Sequence, residues 1–183
     1  MLRRKPSTRW RRRRGLACVC ALLALLAHPV WAASLSPEDL QILASALAFM
    51  QPRPPGGGVV AIVHAGRNSD SYRDAEAILA AIGKNLTMRD IVLTPRLVDA
   101  SELANVSFSV AIVATGANSE AVSRAVLSHH ALCATADQAA VRQGLCAMSI
   151  RSTGKVEILL NYRATQAAGI SFATAFRMMV AEL

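Results

Sequence analysis

The sequence predicts a Rossmann-like, doubly wound α/β fold: a mostly parallel sheet with an antiparallel hairpin at its C-terminal edge. Three features predict it. Apolar runs of strand length, led by VVAIVHAG from Val59, have the all-apolar character of strands covered on both faces. Helical patterns separate these runs, so that strand and helix alternate four times. Near the end, two apolar runs lie on either side of Ser152-Thr153-Gly154, a hairpin signal.

The elements follow in order. Ser36 is a natural helix cap, Pro37 suits the first helical position, and Glu38 and Asp39 complement the helix dipole. Leu40, Leu43, Leu47 and Met50 then recur at helical spacing. Prolines 52, 54 and 55 with Gly56 to Gly58 stop this helix and read as a linker. After the Val59 strand, 70–84 reads as a helix, 89–94 as a strand and 100–104 as a helical turn. Residues 108–114 form a third strand, 118–128 a helix, 131–136 a fourth strand and 138–143 a short helix begun by Asp137. The hairpin takes 145–150 and 155–160. Asn161 caps a helix that Gly169 ends, and Ser171 starts a last helix with Phe172, Phe176, Met179 and Val180 on one face.

The N-terminus sets the compartment. Eight basic residues (Arg3, Arg4, Lys5, Arg9, Arg11 to Arg14) precede an apolar run from Gly15 to Ala27, then Pro29 and Val30-Trp31-Ala32. This is the three-part pattern of a secretory signal, with cleavage after Ala32, and it implies a periplasmic protein. The run is short for a bilayer span, which needs about 20 residues. The organisation is therefore a signal peptide over 1–32, a helix and Pro/Gly linker over 33–57, and a single α/β domain over 58–183.

Export changes the charge argument. The whole chain has 20 Lys+Arg and 12 Asp+Glu, net +8. The leader holds eight of those basic residues and no acid, so the remainder is neutral. The basic excess belongs to the export segment, which removes the case for nucleic-acid binding. Of four cysteines, Cys133 and Cys146 lie outside the leader. In an oxidising compartment they read as a disulfide. Its rivals are a metal clip, for which His129 and His130 stand close by, and a free nucleophile. A closed zinc site wants four ligands, and HHALC offers no second close pair.

Ligands in such a sheet bind at the carboxyl ends of the strands. Three loops qualify: 64–71, 114–120 and 134–138. Their polar residues, Ser69, Thr115, Gly116, Asn118, Ser119 and Asp137, suit a small anion or an amino-acid-like ligand, and suit helix capping equally well. His64 follows a strand, where a hydrogen-bonding structural role is commoner than a ligand contact. No Walker lysine, GxSxG elbow, HExxH or paired-acid motif occurs, so no enzyme, metal or cofactor is expected.

The C-terminal stretch VEILLNYRATQAAGISFATAFRMMVAEL resembles the signature of the YfiR/HmsC-like periplasmic proteins. Glu157, Asn161, Ala164, Ala168-Gly169-Ile170, Ser171 and Arg177 carry the likeness. LCATAD and RQGLCAMSI upstream resemble the family's strand ending in Asp and its turn into the hairpin. The chain departs from the pattern in its first helix, where only Phe49 and Pro52 stand for an aromatic-rich ending. It departs again at Gly144-Leu145-Cys146, which replaces a Gly-Gly. The resemblance implies a non-enzymatic regulator that represses a membrane-bound diguanylate cyclase by docking on its periplasmic domain, with cyclic-di-GMP and biofilm as the output. It also implies an outer-membrane lipoprotein as a second partner, and a homodimer. The other reading open at this point is a periplasmic small-molecule sensor, a half-sized domain of the solute-binding kind.

Overall fold

The computed structural model describes residues 34–67 and 69–183. The proposed leader lies outside them. Helix α1 (Pro37–Leu47) opens with a full capping box: Ser36 Oγ accepts from Asp39 N–H, and the Asp39 carboxylate accepts from Ser36 N–H. Leu40, Leu43, Ala46 and Leu47 are buried, so α1 packs into the main core. Strand β1 (Met50–Gln51) follows, then β2 (Val59–His64) and α2 (Asp70–Ile82), which Ser69 caps. The chain continues through β3 (Leu86–Met88), β4 (Ile91–Asp99), a 3-10 turn at Leu103–Asn105, and β5 (Val110–Val113). Next come α3 (Glu120–Ser128), β6 (Leu132–Thr135), α4 (Gln138–Arg142), and the hairpin β7 (Met148–Arg151) and β8 (Glu157–Leu160). Helix α5 (Tyr162–Ala167), β9 (Ser171–Phe172), α6 (Thr174–Arg177) and β10 (Ala181–Glu182) complete it. No helix among the described residues is long and apolar enough to cross a membrane.

The main sheet has eight strands in the order β10-β8-β7-β6-β5-β2-β4-β3. Its centre, β4-β2-β5-β6-β7, is parallel throughout. Strand β8 runs antiparallel to β7, and β3 antiparallel to β4. The fold is thus the α/β arrangement expected, with an antiparallel edge at each end rather than one. Two cores sandwich the sheet. Val60, Ile62, Ile112, Leu132 and Met148 face α1, α2, α5 and α6. Ala61, Val63, Ala111, Val113 and Cys133 face α3, α4 and the 3-10 turn.

Several local expectations need correction. The second strand starts later than 89 and runs past 94 to Asp99, through Pro95. Thr94 donates its N–H to Gly58, so the next nitrogen, that of Pro95, faces away from β2, where no ladder bond is lost. Residues 86–88 form an extra antiparallel strand, joined to β4 by the two-residue turn Arg89-Asp90. The Gly triplet is more than a linker. Gly57 adopts φ +75° and donates to Val92, and a Cβ on Gly58 would sit 2.7 Å from Ser109 Oγ. Ser171 does not begin a helix: it lies in β9, antiparallel to β1, and the last helix has only the four residues Thr174–Arg177. The chain then pairs β10 alongside β8, because Arg177 and Glu182 meet and fold the segment back.

Candidate functional site

The strand order places β2, first in chain order within the main sheet, between β4 and β5. The loops after β2 and β5 therefore depart on either side of a topological switch point. Asp74, on α2, joins the loop after β5 to Ser34, ahead of α1: its Oδ2 accepts from Thr115 N–H at 2.7 Å, and its Oδ1 accepts from Ser34 Oγ. Gly116 follows with φ +76° and open space where a Cβ would project. On the β2 side, Ser69 Oγ donates to Gly66 O at 2.9 Å and accepts from Tyr72 N–H. Ser71 is buried, and its Oγ accepts from Ala65 N–H at 3.1 Å.

Asn118 and Asp137 meet through a residue the sequence reading passed over. Thr135, 1% exposed at the end of β6, accepts at its Oγ1 from Asn118 Nδ2 (3.3 Å) and from Asp137 N–H (3.2 Å). Asp137 Oδ1 in turn accepts from Ala139 and Ala140 N–H and so caps α4. Ser149 of β7 lies in register with Thr135. Ser149 Oγ and Asn118 Oδ1 are both buried without a hydrogen-bond partner among the described residues. Thus Thr115, Gly116 and Asn118 share one loop and Asp137 joins them, while Ser69 makes these bonds within its own loop. Thr135 lies in the 134–138 loop without being among its candidate residues, Ser149 was hidden inside an apolar strand, and only the β6–β7 register makes them neighbours.

A second polar pair lies at the ends of β2 and β4. His64 is buried, with Nδ1 3.7 Å from Asp99 Oδ2 and its ring edge-on to Tyr72 at 4.9 Å. The Ser101 hydroxyl, bonded to Asp99 Oδ1 at 2.7 Å, is the main reason this carboxyl is held below the usual carboxylate range. The Ser101 N–H, nearby His64 and the Gly66 backbone add to that, against partial desolvation.

Cys133 and Cys146 form a disulfide, Cα atoms 5.1 Å apart, both side chains buried in the core beneath α3 and α4. The bridge ties β6 to the entry of β7 and encloses α4. Their sulfurs are thereby bonded to each other rather than to a metal. His129 and His130 turn elsewhere, to the backbone oxygens of Ala104 and Ala168.

The residues that carry the family likeness have architectural roles. Asn161 caps α5 through Ala164 N–H and donates its Nδ2 to Val141 O at 2.8 Å, fastening α4 to α5. Gly169 ends α5 at φ +71°, a left-handed position that favours glycine, and a Cβ there would lie 3.4 Å from His130 Nδ1. Arg177 bonds both Glu182 oxygens, at 2.5 and 2.9 Å, and lies 4.8 Å from the Tyr162 ring centre. Glu157 accepts from Gln138 Nε2, and Ser171 Oγ donates to Gln51 O.

No family model matches the chain, and no curated protein matches it. Among solved structures it is similar to that of a conserved domain protein from Vibrio cholerae O1 biovar El Tor, with a TM-score of 0.54 at 11% identity. The match covers 80% of this chain and 59% of that one. The likeness shows the fold alone. It supports the α/β architecture and leaves the function to be argued from the residues.

Proposed function

We propose that the chain is an exported, non-enzymatic regulatory protein that represses a membrane-bound diguanylate cyclase by docking on its periplasmic domain. The observation that carries this reading is the segment 156–183, whose residues resemble the YfiR/HmsC-like signature and in which Asn161 fastens α4 to α5, Gly169 ends α5 and Arg177 pairs with Glu182 of β10. The buried Cys133–Cys146 bridge supports an oxidising compartment, and the leader-like N-terminus supports export. An outer-membrane lipoprotein as a second partner, and a homodimer, belong to the same proposal.

In this mechanism the bridge keeps α4 and its flanking strands in one shape. Reduction loosens that shape and weakens docking by mass action. The test is a cyclic-di-GMP reporter in the native host. Deleting the gene raises the signal, re-expression lowers it, and Cys133→Ser with Cys146→Ser restores less repression than wild type. An unchanged reporter in the deletion strain sinks the proposal.

The buried Ser149 Oγ and Asn118 Oδ1 favour a second reading, a small-molecule sensor that binds at the carboxyl edge. A thermal-shift panel of amino acids and small anions separates the two. One compound at about 100 times its Kd stabilises the fold by about 2.7 kcal/mol. A panel without any shift removes the sensor.

A further inference from the structure

We infer that the groove between α1 and the outer strand β3 is a docking site for an extended, acidic peptide segment of a partner protein. This rests on the reading that the chain acts by protein contact, and it names where and with what chemistry. The groove has a volume of about 400 Å³. Gln41, Ala44 and Ser45 of α1 and its capping Ala48 line one side, Thr87 and Arg89 the other, with the apolar Phe49 and Met88 between them.

Among the described residues, strand β3 ends the sheet and pairs with β4 alone. Met88 and Ile91 flank the two-residue turn, so they are a hydrogen-bonded pair, and Thr87 opposite Val92 is a non-bonded one. Val92 confirms the phase, since its carbonyl accepts from Gly57 on the far side of β4. The Thr87 N–H and C=O therefore point outward along the groove, where an added strand would meet them. The small side chains of α1 leave that strand room beside the helix.

Charge selects the occupant. Arg89 lines the groove, and Arg53 lines a small adjoining hollow that shares Ala48, Met88 and Arg89 with it; both arginines are exposed and make no ion pair among the described residues, against the single carboxylate of Asp90 in that hollow. Arg89 is fixed in the turn at φ +50°, a conformation rare for a side-chain-bearing residue. An extended segment that alternates apolar and acidic residues satisfies all three features. Its backbone pairs at Thr87, one apolar side chain reaches Phe49 and Met88, and a carboxylate meets the arginines.

The test uses the full chain and fluorescence anisotropy with a labelled hexapeptide of alternating glutamate and leucine, beside the same peptide with lysine for glutamate. The acidic peptide should bind at least tenfold more tightly. R53E with R89E should reverse that preference, and Thr87→Pro, which removes the outward N–H without breaking a ladder bond, should weaken binding at an unchanged melting temperature. Equal affinity for the two peptides, or no effect of the arginine reversal, overturns the inference. So does displacement of the peptide by decanoate in R53E/R89E and wild type alike, which marks a merely greasy groove. In a parallel pull-down, a cyclase periplasmic domain that binds wild type and R53E/R89E equally refutes the groove and spares the proposed function. Peptide binding in the groove without any cyclase binding does the reverse.

Discussion

Removal of the Cys133–Cys146 bridge should cost the fold about 3 kcal/mol. The cysteines are 13 positions apart, and closing a loop of that length removes about 10 cal/mol/K of chain entropy from the unfolded state, or about 3 kcal/mol at 25 °C. For a domain of this size 1 kcal/mol corresponds to about 2–4 °C, so the melting temperature should fall by about 6–12 °C. The double variant Cys133→Ala/Cys146→Ala is the better probe than serine, because both positions are buried in an apolar core and a hydroxyl there adds a desolvation cost of its own. Because the bridge encloses only α4, loosening should concentrate there: hydrogen exchange should quicken over 136–147 before it does in β2 and β5. The assay is calorimetry with and without reductant, with intact mass confirming that the oxidised form is lighter by two hydrogen atoms. A shift below about 2 °C, or exchange that quickens evenly across the sheet, refutes the reasoning.

Three further outcomes are expected. Gly58→Ala brings a Cβ against Ser109 Oγ, the Pro55 carbonyl and Leu93, and should destabilise by about 1–3 kcal/mol in urea melts. Asn161→Ala removes the α5 cap and strands the Val141 carbonyl inside the protein, for about 2–3 kcal/mol, and Asn161→Asp, which keeps the cap but sets a carboxylate oxygen against that carbonyl, should not rescue it. Asp99 has a carboxyl pKa lowered by Ser101, so its contribution is present above the unfolded-state value near 4 and fades as pH falls through the lower folded-state value. Acid melts of Asp99→Asn should show a shallower loss below about pH 4 than wild type, with Ser101→Ala intermediate.

The chemistry of the elements was legible where local signals agree. Ser36-Pro37-Glu38-Asp39 announced α1, and the apolar blocks at 59, 110 and 132 announced the buried strands, since a strand covered on both faces has no polar positions to hide it. The edges were not legible. Strand β3 has three residues and alternates buried and exposed, too little for a period, and β9 and β10 have two each. Those short strands owe their existence to partners distant in sequence: Ser171 to Gln51, Ala181 to Leu159. A local pattern of Phe172, Phe176 and Val180 instead read as a helix. The carboxyl-edge loops were foreseen from fold class, and the capping roles of Ser69, Ser119 and Asp137 from residue type. The joint placement of Asn118, Thr135 and Ser149 depends on register, which a single sequence does not display.

Asp74 holds the Thr115 backbone with one oxygen and the Ser34 hydroxyl with the other. Ser34 is thereby wired to the loop at the centre of the sheet. Extra residues fused there would tug on that loop, so purification handles and fluorophores belong at the far end of α2, in the exposed Gly83-Lys84-Asn85 turn, and not in the Thr153-Gly154-Lys155 bend, whose neighbour Ser152 lies 3.3 Å from Ser36.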